Sequence, residues 1–257
     1  MKGLRLALLV LCAWSICSAQ EITIAAAADL HAAMDEITAQ FRNQNAAKIS
    51  VVYGSSGNFY QQIQNGAPFD LFFSANTDYP KKLESAGLTL PGSYFEYARG
   101  KVVLLVPAAS TLNLQKGLTV LLEPEVRKIA IADPAHAPYG QAAVAALKSQ
   151  NIYDQVASKL VTGENISQAA SYVLSGGADA GIIAMSLAVL PSSQSKTRFA
   201  EIPENDYPPI TQACVVVKSS RQQQLAREFE LFMKTQAVSN ILQRYGFEVP
   251  GSAPFGR

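Results

Sequence analysis

Three short stretches of this chain could hold an anion without a cation. Ala25-Ala26-Ala27-Ala28-Asp29-Leu30, Gly54-Ser55-Ser56-Gly57-Asn58 and Ala137-Pro138-Tyr139-Gly140 each fall where a strand pattern gives way to a helix pattern. None contains a basic residue. A helix opens with unpaired backbone N–H donors at the positive end of its macrodipole, so converging helix N-termini bind an oxyanion directly. Small residues at such turns let the ligand approach the backbone.

The elements that must position these turns follow from hydrophobic periodicity. Ile22 to Ala27 reads as a buried strand, and Leu30, Met34, Ile37 and Phe41 recur at helical spacing. A strand at Ile49 to Tyr53, a helix from about Asn58 to Gln64 and a strand at Asp70 to Ser74 continue the alternation. This is a parallel α/β unit. After Tyr94 to Gly100 the pattern restarts, with strands at Val102 to Val106, Lys128 to Ala132, Lys159 to Val161 and Ala180 to Ala184. Helices at Gly140 to Leu147 and Ile166 to Leu174 lie between them, and a strand at Ala213 to Val217 and the helical stretch Gln222 to Arg244 close the chain. The expectation is an α/β protein of two lobes, residues 20–99 with 213–257 and residues 100–212. Its ligand would lie in the cleft between them, beyond the carboxyl ends of the strands.

Residues 1–19 read as a cleaved export signal: Lys2 and Arg5 precede an apolar run from Leu6 to Ile16, and Cys17 and Ala19 supply the small residues before the cut. That run is too short to span a membrane. Removing it leaves 19 basic against 20 acidic residues, a formal charge of −1, which gives no basis for nucleic-acid binding. The mature chain keeps Cys214 as its one cysteine and has no Trp, so no internal disulfide can form.

With Gly66-Ala67-Pro68-Phe69-Asp70-Leu71-Phe72-Phe73-Ser74-Ala75, Asp133-Pro134-Ala135-His136 and Arg244-Tyr245-Gly246-Phe247 added to the three turns, nearly the whole mature chain resembles the periplasmic molybdate-binding proteins of ABC importers. The resemblance implies a type II periplasmic binding protein with two hinge strands, closing on molybdate or tungstate and delivering it to a permease. It implies a monomer with no cofactor. Ligand contacts carried over by position fall on Asp29, the hydroxyl and N–H of Ser56, the N–H of Tyr139 and the N–H of Ile166, with Ala28, Ser55, Gly57 and Ala184 around them.

Two departures from that pattern matter. Many members have Ser where this chain has Asp29, and Tyr where it has Ala184. The hydroxyl of Tyr139 is expected to stand in for the missing Tyr. A carboxylate facing a dianion would repel it, so Asp29 is expected to turn its side chain back onto the N–H of Ala32 as a helix cap, leaving its own N–H for the ligand. The sharper alternative is a protonated Asp29 that donates to the anion. For Ser56 the competing role is capping its own helix, and Ser55 is expected to cap or support.

Other chemistries fit less well. His31 and His136 are the only histidines and no acids cluster about them, which argues against a metal site. Gly54-Ser55-Ser56-Gly57 is not the nucleophile elbow of a hydrolase, so an exported phosphate-ester hydrolase lacks its nucleophile. Asn165-Ile166-Ser167 matches a glycosylation sequon by chance. Among tetrahedral oxyanions other than molybdate, sulfate and phosphate carriers share the expected fold. Asp29 could accept phosphate's own proton.

Overall fold

A computed structural model describes residues 21–251; the export signal lies outside them. Two five-stranded sheets are built from alternating strands and helices. The first receives β1 (Glu21–Ala27), β2 (Lys48–Gly54) and β3 (Leu71–Ser74), with α1 (His31–Gln44), α2 (Ser56–Gln64) and α3 (Asp78–Ser85) between and after them. It is completed by β4 (Phe95–Gly100). The second holds β5 (Val102–Pro107), β6 (Ile129–Ala132), β7 (Leu160–Gly163), β8 (Ala180–Ala184) and β9 (Thr197–Glu201), with α4 (Pro138–Ser149), α5 (Tyr153–Val156), α6 (Ile166–Leu174), α7 (Met185–Ala188) and α8 (Pro191–Gln194). β10 (Ile210–Val216) then rejoins the first sheet, followed by α9 (Gln223–Met233) and α10 (Gln236–Arg244).

In the first sheet the order is β2-β1-β3-β10-β4, with β1 parallel to β2 and β3, and β10 antiparallel to β3 and β4. In the second it is β7-β6-β8-β5-β9, with β5 antiparallel to both neighbours. The chain therefore passes between sheets twice, at Gly100 to Val102 and between Glu201 and Ile210. β1, flanked by parallel partners, is buried on both faces from Ile24 onward, which is why its sequence is a continuous apolar run.

Three local readings shift. β9 carries Arg198 and Glu201 in five residues and so lacks an apolar signature, which suits an edge strand whose charges discourage further pairing. β10 starts at Ile210 rather than Ala213, because Gln212 interrupts the apolar run and a bulge follows it. The stretch 222–244 is two helices, broken where the Thr235 side chain accepts the N–H of Val238 and caps α10.

The last two helices pack on the first sheet. Leu225, Phe229, Met233 and Ile241 join Ile22, Met34 and Phe73 in one core, and the fully buried Phe229 ring meets Phe41 edge-on at 5.1 Å. Phe229→Ala should cost about 3–5 kcal/mol of unfolding free energy in urea. A loss below about 1 kcal/mol would mean that α9 is not part of that core.

Candidate functional site

Four turns converge where the two sheets face each other. β1 runs into a single 3-10 turn, Ala28–Leu30, that carries Asp29. The N-termini of α2, α4 and α6 point at the same place, and three hydrogen bonds tie the sides together. Gly57 N–H donates to the carbonyl of His136 at 2.8 Å, Ser167 Oγ to the carbonyl of Ala28 at 3.0 Å, and Ser186 Oγ to the carbonyl of Asp29 at 2.8 Å. Gly57 is glycine for a steric reason, since a Cβ there would lie 2.6 Å from the His136 carbonyl oxygen.

A buried polar chain crosses this junction. Tyr97 Oη, on β4, donates to Gln212 Oε1 at 2.6 Å and also lies 3.3 Å from the Ser74 carbonyl. Gln212 Nε2, on β10, donates to Asp29 Oδ2 at 2.6 Å and to Tyr139 Oη at 3.2 Å. Tyr139 comes from the opposite sheet, and its hydroxyl fits only because Gly100 has no side chain: a Cβ there would sit 1.9 Å from that oxygen. Tyr139 Oη accepts from Gln212 and keeps its own proton, which acts on the neighbouring Asp29 carboxyl.

Asp29 is 2% exposed and forms no ion pair among the described residues. Burial pushes its carboxyl up to about 6, against the opposing pull of the Gln212 amide, the Tyr139 hydroxyl and nearby backbone N–H groups. Burial and the neighbouring Asp29 carboxylate hold the Tyr139 and Tyr97 hydroxyls well above their ordinary range, so both stay protonated donors. Asp29 Oδ1 has no hydrogen-bond partner. The expected cap onto Ala32 is not formed; the carboxyl is drawn instead to Gln212, and neither α1 nor the turn before it has a side-chain cap.

Ser56 is likewise not a cap. Its Oγ is buried and accepts the N–H of Ala75 at 2.9 Å, which leaves its hydroxyl hydrogen to donate. Ser55 precedes the helix but makes no cap bond, and its buried Oγ has no partner. Of the four orphaned buried side-chain atoms among the described residues, two therefore stand on these turns. The other two belong to Gln40 and to Glu230, and Glu230 is ion-paired to Arg227 and Lys234.

The backbone adds donors. Among the described residues, the N–H groups of Ser56, Tyr139 and Ile166 have no protein acceptor. Ile166 opens α6 behind Asn165, whose side chain caps the helix by accepting from Gln168 N at 3.1 Å; the sequon asparagine is thus structural. The Ile166 side chain is buried in the core of the second sheet. Ala184, fully buried at the end of β8, lies two residues before Ser186, which holds the Asp29 carbonyl.

Gln212 and Tyr97 are the residues that sequence reading missed. Gln212 breaks an apolar strand, and a buried Gln in such a run is the available signal. Tyr97 sits in a mixed strand, Phe95–Gly100, with nothing to set it apart. His136 contributes its carbonyl rather than its ring, and His31 lies exposed against the Tyr53 ring. No group of three or more His, Cys, Asp or Glu able to hold a metal ion occurs among the described residues.

Two α/β sheets joined by two crossings, with helix N-termini converging on the junction, define the two-lobed type II class of binding proteins. The chain belongs to the family of bacterial extracellular solute-binding proteins, whose profile matches residues 22–248. It is 35% identical over 230 residues to the molybdate-binding protein ModA of Rhodobacter capsulatus, covering 90% of this chain and 89% of that protein. To the Azotobacter vinelandii ModA it is 34% identical, covering 90% and 92%. The solved A. vinelandii periplasmic molybdate-binding protein superposes with a TM-score of 0.84 at 33% identity, over 89% of this chain and 99% of that one. The sulfate-binding protein SubI of Mycobacterium tuberculosis, at 17% identity and a TM-score of 0.75, shares the fold over 90% and 88% of the two chains.

Because the Asp29 carboxyl lies above its ordinary 3.8, its contribution to stability is complete below that pH and is lost as pH rises through about 6. The gap corresponds to about 3 kcal/mol. In the ligand-free chain, the stability of Asp29→Asn relative to the parent should improve by about that much between about pH 3 and pH 8, read by urea unfolding. A difference that does not change with pH would contradict a buried, titrating carboxyl.

Proposed function

We propose that this chain is an extracytoplasmic solute-binding protein that captures molybdate or tungstate and passes it to the permease of an ABC importer without chemical change. The observation that carries the reading is the convergence of neutral donors: the N–H groups of Ser56, Tyr139 and Ile166 and the hydroxyls of Ser56 and Tyr139, with no Lys or Arg on the turns. Asp29 lies beside them and contributes its N–H. The family match and the named activity of the relatives agree with it.

The lobes are residues 20–99 with 213–257 and residues 100–212, except that Gly100 and Ile210–Gln212 belong to strands of the first sheet, and the hinge is the pair of crossings that follow Gly100 and precede Ile210. Residues 1–19 direct the chain to the periplasm, where it acts as a monomer; the similar A. vinelandii protein is itself periplasmic, which supports that compartment. No helix among the described residues is long and apolar enough to cross a membrane. Phosphate is the second reading, favoured by the unpartnered Asp29 Oδ1, which could accept the ligand's proton.

Calorimetric titration with molybdate, tungstate, sulfate and phosphate tests the assignment. The larger group VI oxyanions fill the cradle, whereas sulfate leaves donors unpaired at about 1–3 kcal/mol each. Sulfate should bind far more weakly. Equal affinity for sulfate and molybdate would overturn the molybdate reading, and tight phosphate binding without molybdate binding would favour the second one.

Two variants probe the donors. Tyr139→Phe should weaken molybdate by about 1–2 kcal/mol while keeping the ring's packing. Ser56→Ala should weaken it by about 1.5–3 kcal/mol. It should also lower stability by about 1–3 kcal/mol, because the buried Ala75 N–H loses its acceptor. Unchanged affinity in both variants would remove the hydroxyls from the site.

A further inference from the structure

We propose that the anion site takes up one proton with its anion, held between the Asp29 carboxyl and a ligand oxygen. The inference rests on the oxyanion-binding reading above and deepens it. Three observations carry it. The side chain is almost fully buried, Oδ2 is occupied by the Gln212 amide, and Oδ1 has no partner. The turn that carries Asp29 is tied to α6 by Ser167, and the Asp29 carboxyl shares the Gln212 amide with Tyr139 of α4, so an anion drawn to the N-termini of those helices meets a carboxyl.

The surroundings leave no other way to compensate the charge. From α4, the group facing Asp29 is the Tyr139 phenol; from β10, the Gln212 amide; from β4, the Tyr97 phenol, one bond further along the chain. From α7 and α6 come the hydroxyls of Ser186 and Ser167, both spent on carbonyls of the Asp29 turn. Tyr207 acts on Tyr139 from the segment before β10, and its hydroxyl accepts the N–H of Val102. His31, next along α1, is exposed and within 3.6 Å of Asp35. The nearest crossing carries Lys101, whose ammonium is engaged by Glu248 at 2.9 Å and by Glu201 and Glu204. A deprotonated Asp29 would therefore face a bound dianion with no cation to separate them.

A proton on Oδ1 changes the sign of that contact. The carboxyl becomes an O–H donor, its orphaned oxygen acquires a partner, and the cradle gains one more neutral donor. Burial already favours the protonated carboxyl, and an adjoining anion favours it further. The proton comes from solvent and returns there when the ligand leaves. The same geometry predicts that affinity falls as pH rises, since above about pH 7 the proton has to be supplied at binding.

The test is calorimetric titration of the parent chain with sodium molybdate at pH 7.5 in buffers of different ionisation enthalpy, together with dissociation constants from pH 6 to 9. The parent should take up close to one proton per molybdate and lose about tenfold in affinity per pH unit between pH 7 and 9. Asp29→Asn should take up none, show no slope, and bind at least tenfold more tightly than the parent at pH 8.5. Molybdate binding by the parent without proton uptake and with a flat pH profile would overturn the inference alone. Absence of molybdate binding at every pH would overturn the proposed function and this inference with it. The parent's proton uptake decides the matter even where the variant folds poorly.

Discussion

An anion held in a buried cleft without Lys or Arg has to be stabilised by dipoles that are already in place, because no side-chain cation stands beside it. At an effective dielectric near 20, a second unit charge about 4 Å away is worth about 4 kcal/mol, so the placement of each buried charge near such a ligand outweighs any single hydrogen bond. In this protein the constraint falls on one side chain. Asp29 is the buried charge, and Gln212 and Tyr139 are the neutral groups beside it. Gly100 leaves room for Tyr139 and Gln212 to meet, and Gly57 lets α2 approach the His136 carbonyl.

The fold delivers this arrangement economically. Open α/β sheets leave helix N-termini at the carboxyl ends of their strands, and facing two such sheets aims several of them at one point. The two crossings do more than connect. Gly100 ends β4, Gln212 lies near the start of β10, and Tyr97 is three residues before the first crossing, so the polar chain that orients Asp29 is anchored on the strands next to the crossings between the sheets. Movement of one lobe against the other would alter the Tyr139 contact with Gln212 while leaving Tyr97, Gln212 and Asp29 together on the first sheet.

Much of this was legible in the amino-acid sequence, for identifiable reasons. β1 and α1 carry unbroken periodicity, and the three small-residue turns announce helix starts, so the α/β order, the two-lobed class and the converging turns could be read directly. Side-chain direction could not. Asp29 has the composition of an N-cap, yet its carboxyl leaves the helix for Gln212, a partner 183 positions away. Ser56 looks like a cap and instead holds the Ala75 N–H. Edge strand β9 was invisible because its residues face solvent often enough to lose the apolar signal. For Asp29 and Ser56 a long-range partner overrode a local preference.

The most direct measurement of the central claim is anomalous diffraction at the molybdenum absorption edge from crystals of the protein grown with molybdate. A single strong peak between the N-terminus of α2 and those of α4 and α6, within reach of Ser56, Tyr139, Ile166 and Asp29, is the predicted result. A peak beside surface cations such as Lys81 and Lys82, with none at the junction of the sheets, would contradict a cation-free oxyanion site.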